Sequence, residues 1–294
     1  MKVAVVGLGG VGGYLAASFA RAGIDVTGFG RGKHLEAIKE HGIRIKEDEN
    51  SWSVRLEAKE IGEAEGVYDV VLFCVKSYDL QQSCQALLKH IDQRTILLSF
   101  ANGVNNGEIL RSNASGRILE GAIYILSHIQ SPGTIRKQGS VFAAVFGGED
   151  DATQEMSRLF ARAKLRYKTP SNITEALWKK YTFISAFASL TSYYDMSIKK
   201  VYEEYPKECQ IVLGEIASVA KTYGVSLESE IPKALSTAAT LPQEASTSMH
   251  LDFKNSKKVE LESLSGFIAN YKGVDTPFMS KIYETLKRRE SAKE

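Results

Sequence analysis

The chain has 294 residues, enough for two domains of ordinary size. Its formal net charge of +2 lacks the clustered basic surplus of a protein that binds phosphate backbones, so a nucleic-acid-binding function is excluded. The cysteines, Cys74, Cys84 and Cys209, form neither a CxxC pair nor a metal-ligand spacing with the histidines, which predicts reduced thiols and no metal site.

The first apolar run, at residues 2–7, is soon broken by glycines. It is too short for a signal peptide or a membrane span, so we expect a cytoplasmic protein that does not enter a membrane. It is also the first of several β-branched runs that predict strands, with helical spacing between them. The predicted strands are residues 2–7, 24–30, 68–75, 94–100 and 117–125, and the predicted helices are residues 11–22, 32–41 and 79–90.

Continuous apolar strands that alternate with helices are typical of a parallel sheet covered on both faces. Residues 133–148 predict antiparallel strands that close this sheet, and a proline in a polar cluster at residues 167–172 marks a boundary. We therefore predict an α/β domain at residues 1–170 and an all-helical domain at residues 171–294. The helices predicted in the second domain are residues 174–190, 207–223, 228–239, 246–271 and 277–290.

A glycine-rich loop, GLGGVG at residues 7–12, follows the first predicted strand and opens the first predicted helix. Gly7 permits a tight turn, Gly9 lets the backbone approach a pyrophosphate, and Gly12 lets the helix pack on the strand. A purely structural loop is the alternative, but the strand and helix context favours dinucleotide binding at the helix N-terminus. The residues expected to contact the cofactor are Gly7, Leu8, Gly9, Gly10, Val11 and Gly12.

The end of the second predicted strand indicates which dinucleotide binds. NAD sites usually carry an acid there that accepts hydrogen bonds from the ribose 2′-hydroxyl. This chain has FGRGK at residues 29–33, with Arg31 and Lys33 and no acid. Cations suit a 2′-phosphate, so we predict NADP(H), with solvated loop charges as the alternative interpretation.

Two polar residues follow the ends of further predicted strands, where ligands bind in open α/β sheets. Lys76 ends the run VVLFCVK, and Asn102 begins the pair Asn-Gly after another strand. Each residue could instead serve ordinary turn chemistry. Their shared place at the carboxyl edge makes both candidates for ligand binding.

The stretch ALWKKYTFISAF, residues 176–187, raises the question of which lysine faces inward. Lys180 shares a helical face with Leu177, Ile184 and Phe187, whereas Lys179 lies about 100° round the helix. A lysine on an apolar face is often a surface residue with a buried stem and a solvated head. Facing inward, Lys180 would need a carboxylate partner, because an unpaired buried ammonium is costly.

Taken in order, these motifs resemble those of the ketopantoate (2-dehydropantoate) reductase family, the NADPH-dependent enzymes of pantothenate biosynthesis. The resemblance covers nearly the whole chain and implies a Rossmann-type parallel-sheet domain followed by an all-helical domain. The residues that carry it are Gly7, Gly9 and Gly12; Arg31; Lys76; Asn102; Trp178 and Lys180; Ser248, Met249 and Asp252; Glu260; and Gly266 and Phe267.

The resemblance implies that Lys180 donates the proton with help from Glu260, that Asn102 contacts cofactor or substrate, and that Ser248 binds substrate. From the residues alone, Glu260 could be a solvated helix carboxylate and Ser248 a helix N-cap.

The chain departs from the family at two positions. Ile184 and Ala188 stand where asparagines are common, so Ile184 is expected at the substrate, with Ser185 as the nearest polar replacement.

The resemblance thus implies reduction of a small 2-oxo acid, ketopantoate to pantoate, with NADPH. Ile184 keeps a relative that reduces another 2-oxo acid open as the first alternative. A regulatory protein that binds NADP(H) without catalysis is the alternative of another class. The sequence leaves the oligomeric state open, a homodimer included.

Overall fold

The computed structural model describes residues 1–48 and 50–292. The chain divides into two compact units, one formed by Met1–Ala101 and Asn105–Ile173 and the other by Asn102–Val104 and Thr174–Glu294. Within the described residues, every helix falls short of the length and apolar character that a membrane crossing requires.

A ten-stranded sheet forms the centre of the first unit. Its strand order is β4-β3-β9-β8-β7-β6-β1-β2-β5, and β10 pairs with β9. The strands are β1 (Lys2–Val6), β2 (Asp25–Phe29), β3 (Ile43–Glu47), β4 (Asn50–Val54), β5 (Glu57–Lys59), β6 (Val70–Phe73), β7 (Ile96–Ser99), β8 (Arg117–Ser131), β9 (Thr134–Gly147) and β10 (Tyr167–Lys168).

The helices of this unit are α1 (Gly10–Arg21), α2 (Gly32–His41), α3 (Leu80–Ala86), α4 (Asn106–Asn113) and α5 (Asp150–Arg162). The predicted helices at residues 11–22 and 32–41 correspond to α1 and α2. The one predicted at residues 79–90 is shorter than expected, because α3 gives way to a 3₁₀ turn at Leu88–His90.

Strands β5, β2, β1, β6, β7 and β8 form the parallel part of the sheet. Strands β6 and β7 are buried along their whole length, as continuous apolar runs predict. After β1 the chain forms β2 beside it, then β3 and β4 at the far edge of the sheet and β5 beside β2, before it returns to β6 on the other side of β1. The carboxyl ends of β1 and β6 therefore form the switch point at which open α/β sheets bind ligands.

The closing part of the sheet differs from the prediction. Residues 133–148 form one strand, β9, rather than several, and it pairs antiparallel with β8 and parallel with β3. Strands β3, β4 and β5 were not predicted, because they are short.

The second unit is helical in the residues that the structure describes, as predicted. Its hydrophobic core includes Trp178, Phe187, Ile216 and Met279. The helices are α6 (Ile173–Tyr194), α7 (Ile198–Glu204), α8 (Pro206–Thr222), α9 (Glu230–Thr240), α10 (Ser248–Lys254), α11 (Phe267–Ala269) and α12 (Pro277–Ser291).

A single helix at residues 246–271 was predicted, and that prediction is wrong. Helix α10 ends at Lys254, and Ser256 has a positive φ of 52° that ends helical geometry. The chain resumes as a π-helical segment, Glu262–Gly266, which continues directly into α11. Polar residues 255–258 separate the two pieces, and Glu260 lies in the irregular link between them.

Candidate functional site

The glycine loop at the end of β1 is a site of close backbone contact. Gly7 has a φ of +94° and its amide donates to the Phe29 carbonyl at 2.8 Å. A Cβ on Gly7 would lie 2.9 Å from backbone atoms of Cys74 and Val75. A Cβ on Gly12 would collide with the Gly7 carbonyl oxygen. Glycine is therefore required at both positions for the loop, β6 and α1 to pack.

Gly9 differs from these two glycines, because a Cβ there would meet no described atom within 4 Å. It is the N-cap of α1, and no described side chain caps that end of the helix. The first turn also lacks an acidic residue. Open space in front of unsatisfied helix N–H groups fits the pyrophosphate of a dinucleotide. Leu8 is buried beneath the loop, and Val11 is partly buried.

The middle of β8 lies against this loop, which the sequence did not predict. A Cβ on Gly10 would lie 2.6 Å from the Ser127 carbonyl carbon and 2.8 Å from the His128 amide nitrogen. The pairing of β8 with β9 is irregular between Ile125 and Ser127. The Ser127 hydroxyl is buried without a hydrogen-bond partner among the described residues. Unsatisfied buried hydroxyls are uncommon, so this one marks a place where a bound ligand could complete the contacts.

His34 also supports the loop, and no sequence motif singled it out. Its Nδ1 accepts from the Gly133 amide at 3.0 Å, so Nε2 carries the proton and donates to the Leu8 carbonyl at 2.9 Å. Burial lowers the pKa of His34, and the hydrogen bond to Leu8 opposes that effect. The ring is therefore neutral and ties the loop to the turn between β8 and β9.

The cations predicted for a 2′-phosphate stand at the start of α2. Arg31 is the N-cap residue, its side chain is 85% exposed, and it makes a 3.4 Å ion pair with Asp79. Lys33 is exposed. An exposed pair of this length is weak, so the guanidinium can turn to an anionic ligand at little cost.

Lys76 lies at the carboxyl end of β6, at the switch point of the sheet. It is the N-cap of the 3₁₀ turn Ser77–Asp79, and its side chain is partly buried. The turn also places Asp79 beside Arg31. Lys76 directly follows Cys74 and Val75, whose backbone atoms lie against Gly7.

In the second unit, the two adjacent lysines of α6 have different surroundings. Lys180 is partly buried, and its ammonium donates to the Asn102 side-chain oxygen at 3.2 Å. Lys179 is exposed and pairs with Glu175, one turn earlier, at 2.7 Å. The helix thus presents one lysine to the Asn102 segment and the other to a surface ion pair.

Glu260 is only 4% exposed, and its carboxylate acts on the Lys180 ammonium. Burial lowers the pKa of Lys180 to about 8, and the attraction of Glu260 opposes part of that effect. Lys180 is consequently a stronger acid than an ordinary lysine while remaining mostly protonated near pH 7. A lysine, a carboxylate and an amide from distant parts of the chain therefore share one site.

The polar replacement expected beside Ile184 is not available. Ser185 is fully buried, and its hydroxyl donates to the Leu264 carbonyl at 2.8 Å, so this candidate for the missing amide is already engaged. Ile184 is partly buried against the helical core, and Ala188 lies within that core. Nothing polar is therefore supplied by these α6 positions.

Ser248 is the exposed first residue of α10. It is not the N-cap, because the Thr247 hydroxyl accepts from the His250 amide at 3.3 Å. Met249 is buried in the helical core, and Phe267 packs against it. Among the described residues, no cluster of three or more potential metal ligands is present.

Comparison with known proteins gives matches along the chain. Residues 3–148 match the family model described as ketopantoate reductase PanE/ApbA, and residues 172–290 match the model of its C-terminal region. An uncharacterized oxidoreductase, YkpB, of Bacillus subtilis (strain 168) is 28% identical, with 100% of both chains covered. A 2-dehydropantoate 2-reductase of Pyrococcus horikoshii is 24% identical, covering 99% of this chain and 98% of the relative.

Solved structures share the fold. A PanE/ApbA family ketopantoate reductase from Ralstonia eutropha JMP134 has a TM-score of 0.92 and 27% identity, with 100% of this chain and 99% of that chain covered. A ternary structure of D-mandelate dehydrogenase with NADH and anilino(oxo)acetate has a TM-score of 0.90 at 21% identity and the same coverage, and this likeness concerns the fold alone. The two family models together match most of the chain, which therefore belongs to the ketopantoate reductase family of oxidoreductases.

Proposed function

We propose that this protein reduces 2-dehydropantoate to pantoate with NADPH, a step of pantothenate and coenzyme A biosynthesis. The observation that carries the proposal is the set of Lys180, Asn102 and Glu260, in which a buried ammonium is held by an amide and a carboxylate. Membership of the ketopantoate reductase family supports the choice of substrate.

Residues 1–170 would serve as the NADP-binding part of the chain and residues 171–294 as the part that carries substrate binding and catalysis. When bound, NADPH supplies the hydride. The N–H groups at the start of α1 hold the pyrophosphate, and Gly9 leaves the space for it. Arg31 holds the 2′-phosphate, with Lys33 and Lys76 adding positive charge.

Lys180 supplies the proton that the carbonyl oxygen of the substrate needs. Its ammonium first stabilises the negative charge that develops on that oxygen, and then transfers a proton to it. A pKa of about 8 suits this role, because the group is protonated at neutral pH yet releases its proton more readily than a free lysine. Glu260 keeps the ammonium charged despite its burial, and Asn102 orients the ammonium by accepting a hydrogen bond from it.

Ser248 and Ile184 contact the organic part of the substrate in this proposal. The exposed hydroxyl of Ser248 can hydrogen-bond a carboxylate or hydroxyl group, whereas Ile184 offers only apolar surface. Because Ser185 is engaged elsewhere, this side of the pocket favours an apolar substituent. That observation favours a second candidate function, the reduction of a 2-oxo acid more apolar than ketopantoate.

NADPH oxidation followed at 340 nm tests the proposal, with ketopantoate present and absent. Straight and branched 2-oxo acids serve as competing substrates, and NADH as the competing cofactor. The proposal predicts the highest kcat/KM for ketopantoate with NADPH. A higher value for another 2-oxo acid selects the second candidate, and NADPH binding without turnover of any acid identifies a regulatory protein.

A further inference from the structure

One face of α6 donates hydrogen bonds to the π-helical segment Glu262–Gly266. Tyr181, Ser185 and Ser189 lie four residues apart, so their side chains form a single stripe along the helix. All three are buried. We call these three residues the hydroxyl stripe. Its first member, Tyr181, directly follows Lys180 in the sequence.

Each residue of the stripe forms a hydrogen bond with the π-helical segment. The Tyr181 hydroxyl lies 2.9 Å from the Ser263 carbonyl oxygen and 2.8 Å from that of Leu264. The Ser185 hydroxyl donates to the same Leu264 carbonyl at 2.8 Å. Ser189 and Ser265 share a hydrogen bond between their hydroxyls at 2.7 Å.

Donors from outside can stabilise a π-helical turn. Its wider winding disturbs the regular pairing of carbonyls with amides four residues on, and buried carbonyls must find other partners. Tyr181 and Ser185 supply these partners from outside the segment. Tyr181 and Ser185 therefore stabilise the segment at Leu264.

The π segment in turn holds Glu260. The Leu264 amide donates to the Glu260 carbonyl at 3.2 Å, and the Leu264 carbonyl is the one that Tyr181 and Ser185 bind. Leu264 therefore links the Tyr181 hydroxyl to the backbone of Glu260 through two hydrogen bonds. Tyr181 is also the sequence neighbour of Lys180 in α6, so one residue is adjacent to the lysine and bonded to the segment that follows Glu260.

We propose that Tyr181 is a positioning residue, whose hydroxyl holds the π segment so that Glu260 lies beside the Lys180 ammonium. The inference rests on the proposed role of Lys180 as proton donor. Among the described residues, Glu260 and the neutral amide of Asn102 act on the ammonium, while Lys179 pairs with Glu175. Displacing Glu260 removes the charge that favours the protonated lysine.

The test is Tyr181→Phe, which removes the hydroxyl and keeps the ring packed against Trp178 and Phe267 at centroid distances of 5.5 and 6.2 Å. The pH at which Lys180 is half protonated is read from competitive labelling with acetic anhydride, followed by peptide mapping by mass spectrometry. This measurement needs no substrate. We expect the midpoint to fall by about one pH unit, and the alkaline limb of kcat to move with it.

Ser189→Ala is the matched control, because it removes a buried hydroxyl from the same stripe two turns away from Tyr181. It should lower thermal stability and leave the Lys180 midpoint in place. Ser185→Ala, which removes the other donor to Leu264, should shift the midpoint in the same direction by less, and it stands in if Tyr181→Phe does not fold. A wild-type midpoint in both Tyr181→Phe and Ser185→Ala, whatever their activity, overturns the inference.

The labelling result separates this inference from the proposed function. A shifted midpoint in a protein that reduces none of the 2-oxo acids keeps the positioning role and rejects the reductase proposal. Full ketopantoate reduction with an unchanged midpoint keeps the reductase proposal and rejects the positioning role of Tyr181.

Discussion

The glycine loop of the first unit and the lysine site of the second are built in opposite ways. The loop is six consecutive residues whose usefulness lies in their backbone, since Gly7 and Gly12 are needed for close packing and Gly9 leaves space for an anion. The lysine site is made of side chains that come from residues 102, 180 and 260. The first site requires that side-chain atoms be absent, whereas the second requires that three side chains be correctly placed.

This difference decides how each site responds to change. A backbone site is held by local sterics, so a substitution that respects them alters binding alone. A buried side-chain site is held by tertiary contacts such as the hydroxyl stripe of α6, so changes outside it alter its electrostatics. Substitutions in the two units should therefore separate cofactor affinity from catalytic rate.

The largest separation is expected at the paired lysines. Lys180→Ala removes the proton donor and should lower kcat at least about a hundredfold, while the Kd for NADPH stays near that of the wild type. Lys179→Ala is its neighbour control and loses only a surface ion pair, worth about 0.3–0.5 kcal/mol. Stopped-flow turnover and fluorescence titration with NADPH measure the two quantities. Similar rates in the two variants would show that Lys180 is not the proton donor.

Arg31 should show the reverse pattern, with cofactor affinity changed and chemistry kept. A charge-assisted contact with a 2′-phosphate contributes about 1.5–3 kcal/mol, so Arg31→Ala should weaken NADPH roughly ten- to a hundredfold and leave NADH nearly unchanged. Calorimetric titration with both cofactors measures this. Lys33→Ala, a second exposed cation two residues on, should have a smaller effect. Equal losses for both dinucleotides would mean that Arg31 supports the loop instead.

Gly9 and Gly12 test whether the loop is a backbone site. Gly9→Ala meets no described atom within 4 Å, so the protein should remain as stable as the wild type while NADPH binds up to about tenfold more weakly. Gly12→Ala puts a methyl group against the Gly7 carbonyl and should instead lower the melting temperature. Unchanged NADPH affinity in a stable Gly9→Ala variant would place the anion elsewhere.

The last substitution concerns Ile184, which is proposed to contact the substrate and should change selectivity rather than the chemical step. An amide there could pair with a polar substrate group that otherwise stays unpaired, at a cost of about 1–3 kcal/mol. Ile184→Asn should raise kcat/KM for ketopantoate relative to an unbranched, apolar 2-oxo acid. A wild type that already prefers ketopantoate, with a variant that is only impaired, would show that Ile184 does not decide substrate choice.

The sequence predicted the parts of the fold whose signals are local. Strands β6 and β7 were found as continuous apolar runs, α1 from its spacing and the glycine loop at its start, and α2 from its spacing. Some missed elements also carried a signal. In β3, Ile43 and Ile45 alternate with polar residues, and in α5 the buried residues recur at helical spacing.

The candidate sites divide in the same way. The loop could be predicted residue by residue, because glycine at fixed spacing has a steric meaning. For the other site the sequence supplied the residue types and the family order, while contact between Lys180 and Asn102 required the structure. His34 and Tyr181 were missed altogether, since each acts through a partner far away in the chain, and Ser127 was missed because the structure alone places it against Gly10.

The pH dependence of ketopantoate reduction tests most directly whether the Lys180 ammonium supplies the proton. A general acid works only when protonated, so activity is lost as the pH rises through its pKa. With saturating NADPH, kcat should fall on the alkaline side with a midpoint near pH 8, the pKa to which burial lowers Lys180. A rate that stays constant through pH 10 would show that the Lys180 ammonium does not supply the proton.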